Sequence, residues 1–408
     1  MAKNALVLGA VLFFMACASP PRYEPVVVHV ARPPTSPPLV LEEPLVRPSL
    51  PVAVERFELG PSTVVHVASA AMRDLAAACA RETCAVAWSE YDIAMVSVIR
   101  SGVADPPLVL SRSVRSWVSL DALVTDGDGY AALVSTHETL ERAGLELLRL
   151  DPSGNITRRL RIGRNYGNGT QAALSVTADS ALVAYLRNEN TLRVVKIDLA
   201  TMRTGTAHEY RGSSQEIAWD GGRFWISWSD FDANHPPVIR ATRIDSVPPV
   251  PWKLPWMDRD HLVCFASAST CGVFGLREKR LTFAALLPGG KVDLRTVDTS
   301  EVSSGVYGLD VVPHERGYLV VTRAYTPVGA YMVRIVDAEG HMVTLRFALP
   351  SSLGILVRKG DSYLAVNASP PRGWHPTHTA CQHVNYATCT SQPPSYAIEA
   401  QSLRLIAP

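Results

Sequence analysis

Residues 224–230 read FWISWSD, an apolar segment that ends in two polar residues. Segments of the same kind recur along the chain. The other copies are AVAWSE (85–90), ALVST (132–136), LVAYLRN (182–188), VFGLRE (273–278), YLVVTRA (318–324) and YLAVNAS (363–369). Equivalent positions in consecutive copies are 46, 51, 43, 48, 46 and 45 residues apart when the anchors are Trp88, Val134, Tyr185, Trp228, Leu276, Thr322 and Asn367. The chain is therefore built from one repeated unit.

Each copy is followed by another strand-like segment, as in TLRVVKID (191–198), and often by a Gly or Asp turn such as Asp337-Ala-Glu-Gly340. A fixed period in the forties that contains only strands is typical of a β-propeller. The count predicts an all-β, seven-bladed β-propeller, with six or eight blades as alternatives. The last repeat has only three strands. Resemblance to other propellers implies that residues 52–60 (VAVERFELG) complete it and close the ring.

The composition limits the classes of partner. Lys and Arg number 39, Asp and Glu number 38, and 47% of the 408 residues are apolar. Such balanced charge gives no general attraction to phosphate backbones or to an acidic membrane surface. We therefore expect no nucleic-acid partner, and no motif implies a cofactor.

The first residues have the pattern of an export signal. Residues 5–14 are an unbroken apolar stretch that is too short to span a bilayer as a helix. Residues 1–17 resemble a bacterial lipoprotein signal, in which a Cys after a small residue is acylated. Ala16 and Cys17 match that pattern, whereas Phe14 and Met15 are bulkier than the residues that usually precede the Cys.

This resemblance implies a lipid anchor on Cys17 at the bacterial cell envelope. Ala18, in place of an Asp after the Cys, favours the outer membrane by the sorting rule of such lipoproteins. Ordinary secretion is the alternative, because Ala16-Cys17-Ala18 also has the small-x-small form of soluble exported proteins.

A proline-rich segment follows the signal. Residues 18–51 contain ten prolines, which favour an extended, semi-rigid chain. The predicted organisation is a signal peptide over 1–17, a tether over 18–51 and one β-propeller domain over 52–408.

The remaining cysteines fall into three close pairs. An even set of local pairs in an exported chain predicts disulfides, and these spacings do not match the CxxC pairs of zinc or redox sites. Two of the pairs bracket the same hairpin in different repeats, so each is expected to join the first and second strands of its blade. The pairs are Cys79 with Cys84, Cys264 with Cys271 and Cys381 with Cys389.

The main candidate for recognition is an insertion in the last repeat, PPRGWHPTHTACQHVNYATCTSQPPS (370–395). Long loops on a rigid scaffold often carry function. Trp374 and Tyr386 are candidates for contact with a partner, because exposed aromatic side chains can anchor a protein or stack on a sugar. The alternative is that they pack the loop onto the propeller. The same insertion contains a weak metal-binding candidate, His375, His378 and His383.

Two acidic motifs and several acids near strand ends are further candidates for metal binding or catalysis. Asp230-Phe-Asp232-Ala-Asn234 begins like a calcium loop but lacks its Gly and Glu, and Asp126-Gly-Asp128-Gly129 matches turns of other repeats. No GxSxG, HExxH or GxGxxG motif is present. Carboxylates for glycoside hydrolysis would have to converge from distant loops, with Glu138, Asp230 and Glu278 as members.

The sequence thus favours an exported, lipid-anchored binding or scaffolding propeller that recognises a protein or a glycan in the cell envelope through its loops. An envelope glycan hydrolase with carboxylates at the central channel is the alternative. A catalytic role is not predicted.

Overall fold

The computed structural model describes residues 56–69, 72–114, 116–139, 142–166, 172–230, 237–244, 252–265, 270–298, 306–324, 331–343, 347–349, 355–369, 378–380, 388–390 and 395–406. In this part of the chain the regular structure is β-strand, apart from one turn of 3-10 helix at Pro288–Gly290. No helix among these residues is long and apolar enough to cross a bilayer.

Apart from one small hairpin, the described strands form seven sheets around a ring, here called blades 1 to 7. In each blade the innermost strand contacts the innermost strands of both neighbouring blades, so that the ring is closed. The structure confirms an all-β, seven-bladed β-propeller.

The first strand of the chain, β1 (Arg56–Ser69), belongs to the last blade rather than to the first. The strands that follow it build blades 1 to 3 in chain order. Blade 1 comprises β2 (Met72–Cys79), β3 (Thr83–Glu90), β4 (Ile93–Arg100) and an interrupted outer strand of β5 (Val103–Ala104) and β6 (Leu108–Arg112). Blade 2 comprises β7 (Val118–Thr125), β8 (Tyr130–Thr139), β9 (Arg142–Leu150) and β10 (Ile156–Tyr166). Blade 3 comprises β11 (Ala173–Val176), β12 (Ser180–Asn188), β13 (Thr191–Asp198) and β14 (Arg203–Arg211).

Blades 4 to 6 have the same antiparallel order. Blade 4 comprises β15 (Ser213–Trp219), β16 (Phe224–Asp230), β17 (Val238–Arg243) and β18 (Trp252–Leu254). Blade 5 comprises β19 (Asp258–Phe265), β20 (Thr270–Arg277), β21 (Arg280–Leu287) and β22 (Lys291–Asp298). Blade 6 comprises β23 (Val306–His314), β24 (Gly317–Ala324), β25 (Tyr331–Val336) and β26 (Phe347–Leu349).

Blade 7 joins the two ends of the described chain. Its strands are β27 (Ile355–Lys359), β28 (Ser362–Ser369), β31 (Ser395–Ile406) and, outermost, β1. β1 pairs with β31 from Arg56 opposite Ile406 to Ser69 opposite Ser395. The expected closure by the amino-terminal strand is confirmed, although the strand runs over 56–69 rather than ending at residue 60. A small hairpin of β29 (His378–Ala380) and β30 (Thr388–Thr390) lies between β28 and β31 in the chain.

The second strand of each blade carries one of the seven sequence anchors, and it is the most buried strand. Residues 84–89 in β3 and 224–229 in β16 are all buried. By contrast, most residues of the outer strand β14 are exposed. This difference explains why the second strand of each blade is a continuous apolar run in the sequence, whereas the outermost strands are polar.

Apolar clusters hold neighbouring blades together. Among the described residues there are seven such clusters, and each joins two adjacent blades around the ring. The cluster between blades 7 and 1 includes Val65 and Ala68 of β1 beside Trp88 of β3. The closing strand therefore contributes to the core as well as to the hydrogen bonding of the last blade.

Chain connectivity defines two faces. The top face carries the turns between second and third strands and the connections from one blade to the next. The bottom face carries the turns between first and second strands and between third and fourth strands. β28 ends and β31 begins on the top face, whereas β1 begins at Arg56 on the bottom face.

Two predicted disulfides are present at bottom-face hairpins. Cys79 of β2 is directly opposite Cys84 of β3, and the two are bonded. In blade 5, Cys264 and Cys271 are bonded in the equivalent hairpin between β19 and β20. Cys381 of the third predicted pair lies outside the described residues.

The Asp-Gly motif at residues 126–129 is a turn, as its repetition indicated. Asp126 Oδ1 accepts the backbone N–H groups of Asp128 and Gly129 at 3.1 and 2.7 Å. Gly127 has a φ of 98°, which favours glycine. Asp220 accepts the N–H groups of Gly222 and Arg223 in the same way at the corresponding hairpin of blade 4.

Candidate functional site on the top face

Four side chains meet on the top face at the junction of blades 1 and 2. We call Arg73, Tyr91, Trp117 and His137 the top-face cluster. They come from the start of β2, the turn between β3 and β4, the connection between the two blades, and the end of β8. Backbone hydrogen bonds hold these segments together. The N–H of Val118 donates to the carbonyl of Tyr91 at 2.8 Å, and the N–H of His137 donates to the carbonyl of Trp117 at 3.0 Å.

The guanidinium group of Arg73 lies over two aromatic rings. Its Cζ is 5.7 Å from the ring centroid of Tyr91 and 5.7 Å from that of Trp117. Cation–π attraction operates within about 6 Å and contributes about 0.5–1 kcal/mol at exposed sites. Arg73 is exposed, and Tyr91 is 54% exposed. The cluster thus presents a cation and an aromatic surface together to solvent.

His137 supports the cluster from beneath. Its ring stacks on the indole of Trp117 with centroids 4.8 Å apart, and its Nε2 is 2.7 Å from the hydroxyl oxygen of Ser119. Burial, together with the nearby charge of Arg73, lowers the pKa of His137 below its usual value of 6.5. His137 is therefore neutral at pH 7, which removes a repulsion with Arg73 and keeps the stack rigid.

Below the cluster, acidic side chains of two inner strands link neighbouring blades. The carboxylate of Asp74 in β2 accepts the hydroxyl of Ser89 at 2.6 Å and the backbone N–H of Leu120, in the next blade, at 3.1 Å. Asp121 in β7 repeats the arrangement, with the hydroxyl of Ser135 and the backbone N–H of Ala172 in blade 3. Each carboxylate therefore fastens its own second strand to the inner strand of the next blade.

These acids lie where the inner strands contain β-bulges. The register of β2 shifts between Met72 and Leu75, on either side of Asp74, and that of β7 shifts around Asp121. A bulge leaves one residue unpaired and turns its side chain out of the normal alternation. The shift allows each carboxylate to reach backbone of the neighbouring blade.

Burial raises the pKa of Asp121 from its usual 3.8 to about 7, and the nearby carboxylate of Asp74 raises it further against the hydrogen bonds that lower it. A raised pKa in a cleft is a common sign of a catalytic acid. Here the carboxyl group accepts one hydrogen bond from Ser135 within blade 2 and one from the backbone of Ala172 in blade 3. The structure gives this carboxyl a role in ring assembly.

Blades 4 and 5 are linked by an ion pair instead. His261 Nδ1 of β19 lies 3.0 Å from Glu216 Oε1 of β15. Burial opposes the charged imidazole, but the charge and hydrogen bond of Glu216 raise the pKa of His261 to about 9. The adjacent Asp260 has its pKa raised to about 6, by burial first and then by the charge of Glu216. His261 is thus charged at pH 7 and pairs with Glu216 across the blade junction.

The residues predicted for recognition or metal binding are not tested by this geometry. Trp374, Tyr386, His375 and His383 lie outside the described residues. His378 begins β29, where its backbone is opposite Thr390 of β30. Among the described residues no group of three His, Cys, Asp or Glu side chains is arranged to hold a metal ion.

The acids considered for glycoside hydrolysis belong to three different blades. Asp230 is paired with Arg240 within blade 4, at 2.5 Å between Oδ2 and Nε. Glu278 occupies the exposed turn between β20 and β21, with Arg277 Nη2 3.9 Å from its carboxylate. Glu138 is near the end of β8 in blade 2. Local contacts, rather than a shared pocket, account for Asp230 and Glu278.

Neither the top-face cluster nor the acids of the inner strands were predicted from the sequence. A signal for the acids was available, because an acidic residue occurs in the first strand of five repeats, at Asp74, Asp121, Glu216, Asp260 and Asp310. The cluster had no comparable signal. Its members are separated by 18, 26 and 20 residues along the chain.

Neither a protein-family profile nor a curated protein sequence matches the chain. Among solved structures it is similar to a prolyl endopeptidase, with 12% identity and a TM-score of 0.50 over 85% of this chain and 51% of that one. It is also similar to the β-propeller domain of the Trilobed protease from Pyrococcus furiosus, with 7% identity and a TM-score of 0.49 over 74% and 91% of the two chains. TolB from Acinetobacter baumannii aligns at 17% identity with a TM-score of 0.39, over 65% and 61% of the two chains.

The chain spans between 50% and 61% of the length of three solved structures to which it is similar, one of which is TolB. At such low identities the similarity concerns the fold alone. The comparisons therefore assign this chain no activity.

Proposed function

We propose that this protein is an exported binding propeller, anchored at the cell envelope through Cys17, that recognises a partner through its top face. The observation that carries the proposal is the exposed position of Arg73 over Tyr91 and Trp117. Arg, Tyr and Trp are the residue types most enriched among those that dominate protein interfaces. In the chain, the insertion that carries Trp374 and Tyr386 follows β28, which ends on the same face.

The geometry of the cluster favours a protein over a glycan. Sugar recognition uses the open face of an aromatic ring, onto which a sugar ring stacks. The ring of Trp117 already stacks on His137 and lies under Arg73. Arg73 remains able to donate hydrogen bonds to a carboxylate or a carbonyl group, which suits an acidic polypeptide segment.

The location follows from the disulfides. The bonds between Cys79 and Cys84 and between Cys264 and Cys271 indicate an extracellular or periplasmic environment, because such bonds do not persist in reducing compartments. The resemblance of residues 1–17 to a lipoprotein signal supports the finer proposal of a lipid anchor in the outer membrane. A catalytic function is not proposed, because Asp74 and Asp121 form hydrogen bonds to the backbone of neighbouring blades.

Site-specific crosslinking tests the binding proposal. A photoreactive amino acid replaces Tyr91 in the full chain, which is produced in its own cells and irradiated. The expected result is a covalent adduct with one polypeptide, identified by mass spectrometry. The adduct should disappear when Arg73→Ala and Trp117→Ala are introduced into the same chain.

The control carries the photoreactive group at Val103, which is 67% exposed on the outer strand of blade 1. Equal adducts from both positions, or none from position 91, would overturn the proposal. An adduct with a glycan would reject the preference for protein. Replacing residues 372–392 by a Gly/Ser linker then shows whether the insertion contributes to the same contact.

A further inference from the structure

A second concave site lies on the opposite face of the molecule. A cleft of about 400 Å³ opens on the bottom face between blades 6 and 7, and we call it the bottom-face cleft. This volume is within the usual range for sites that bind small molecules. Its walls come from the turn between β23 and β24, the turn between β27 and β28, and the end of β31.

Two buried rings form the floor of the bottom-face cleft. His314 is 4% exposed and Tyr363 is 3% exposed, and their rings are parallel, with centroids 6.5 Å apart. The backbone N–H of Arg316 donates to His314 Nδ1 at 3.1 Å, so this nitrogen is an acceptor and the ring's proton is on Nε2 in the neutral form. The floor is therefore a rigid element shared by both blades.

Three arginines line the rim of the cleft, Arg316, Arg358 and Arg404. Arg358 Nε donates to the carbonyl of Gly360 at 2.9 Å, which restrains its guanidinium group at the rim. Within the part of the chain that the structure describes, neither Arg358 nor Arg404 forms an ion pair. Because both are exposed, each can offer its guanidinium group to an anion.

Two carboxylates, Glu315 and Asp361, belong to the same walls. Three arginines and two acids leave the lining with one net positive charge, which is too little to hold a polyanion. Guanidinium groups bind phosphate through charge-assisted hydrogen bonds, and carboxylates bind ammonium groups in the same way. The lining is therefore complementary to a small ligand that carries both groups.

We propose that the bottom-face cleft binds the phosphate of an amine-bearing phosphate ester, as in phosphoethanolamine. Arg358 and Arg404 hold the phosphate, and Glu315 or Asp361 receives the ammonium group. The same chemistry occurs in the free ester and in the headgroup of phosphatidylethanolamine. The lipid source is favoured because β1 begins at Arg56 on the face that carries this cleft, and the proposed tether precedes β1 in the chain.

This site uses different residues and the opposite face from the top-face cluster, so the two proposals fail independently. The test is isothermal titration of the full chain with O-phosphoethanolamine and, separately, with inorganic phosphate. Arg358→Gln and Arg404→Gln are each expected to weaken binding of the ester by about tenfold or more, as for loss of one charge-assisted contact. The matched control is Arg223→Gln, an exposed arginine on the bottom face of blade 4, which should bind as the wild type does.

The acidic residues give a prediction of opposite sign for the two probes. The double variant Glu315→Gln, Asp361→Asn should bind O-phosphoethanolamine more weakly and inorganic phosphate more tightly than the wild type does. If the wild type binds neither probe at millimolar concentration, the proposal is wrong. Equal binding by the wild type and the two arginine variants would also overturn it.

Vesicles distinguish the two sources of the ligand. Binding of the wild type and of Arg358→Gln is compared on vesicles of phosphatidylcholine with and without phosphatidylethanolamine, so that any contribution of the amino-terminal segment cancels. A loss confined to vesicles that contain phosphatidylethanolamine supports the headgroup. Equal vesicle binding, with a clear difference for the soluble ester, supports a soluble phosphate ester as the ligand.

Discussion

The carboxylate of Asp74 on blade 1 accepts the backbone N–H of Leu120 on blade 2 at a distance of 3.1 Å. The same carboxylate accepts the hydroxyl of Ser89 in its own blade. Adjacent blades pack mainly through apolar side chains, which are not directional. A hydrogen bond is directional. The one that the carboxylate on the inner strand of blade 1 accepts from the backbone of blade 2 therefore helps to fix the relative orientation of the two blades.

Asp74→Ala should therefore destabilise the whole ring. The substitution leaves the N–H of Leu120 and the hydroxyl of Ser89 without this acceptor, at a cost of about 1–3 kcal/mol. The free energy of unfolding in urea measures the effect. Asp92→Ala, an exposed acid at the top of the same blade, is the control and should change stability by less than about 0.5 kcal/mol. Equal losses would show that Asp74 has no special role.

The contribution of Asp121 to stability should fall as pH rises from about 4 to about 7. Its pKa is about 7 in the folded protein, whereas its usual value is 3.8. Between these values the folded state holds a proton that the unfolded state releases, so the proton's contribution is present below pH 4 and is lost as pH rises through 7. Asp121→Asn removes this ionisation, and its urea midpoint should vary less over that window. The same slope in both proteins would contradict the assignment.

A second window belongs to His261. Its folded pKa of about 9 exceeds the usual 6.5 because of Glu216, so its contribution to stability is complete below pH 6.5 and is lost as pH rises through 9. His261→Gln should flatten the stability profile between pH 6.5 and 9 and leave the profile between pH 4 and 6 nearly parallel to that of the wild type. A change confined to the acidic window would argue against the ion pair with Glu216.

Closure by β1 gives a test with a matched pair of valines. Val65 is 7% exposed and packs between blades 7 and 1, whereas Val67, two residues later in the same strand, is 59% exposed. Val65→Asp buries a charge and should cost about 3 kcal/mol or more, whereas Val67→Asp should change stability by less than about 1 kcal/mol. Thermal unfolding compares the two variants. Similar melting temperatures would mean that β1 does not seal the ring.

The two disulfides should contribute nearly equally. Their sequence separations are 5 and 7 residues, and loop-closure entropy for such short loops is about 2 kcal/mol. The variant Cys79→Ala, Cys84→Ala and the variant Cys264→Ala, Cys271→Ala should each lose about that amount of stability in urea unfolding. Loss of folding in either variant alone would show that its disulfide has a larger structural role than a hairpin staple.

Much of the fold could be predicted from local patterns. The apolar segment around Trp88 and its six counterparts identified the second strand of every blade, because strand patterning and turn residues are properties of short stretches of chain. The pairs of Cys79 with Cys84 and Cys264 with Cys271 were also visible, since each spans one hairpin. The sites were not visible in this way.

By itself, the sequence determined the all-β class and the hairpins that the described cysteines join, because each depends on residues within about one repeat, and it predicted seven blades with six or eight as alternatives. Only the tertiary structure decided that Arg73, Tyr91 and Trp117 meet on the top face, and that Arg358 and Arg404 share a cleft on the bottom face. The ring brings separate turns to one face, and β-bulges reorient side chains such as Asp74 by shifting strand register. Neither the ring's geometry nor these shifts can be read from a repeat period, so the side-chain contacts they create depend on the assembled propeller.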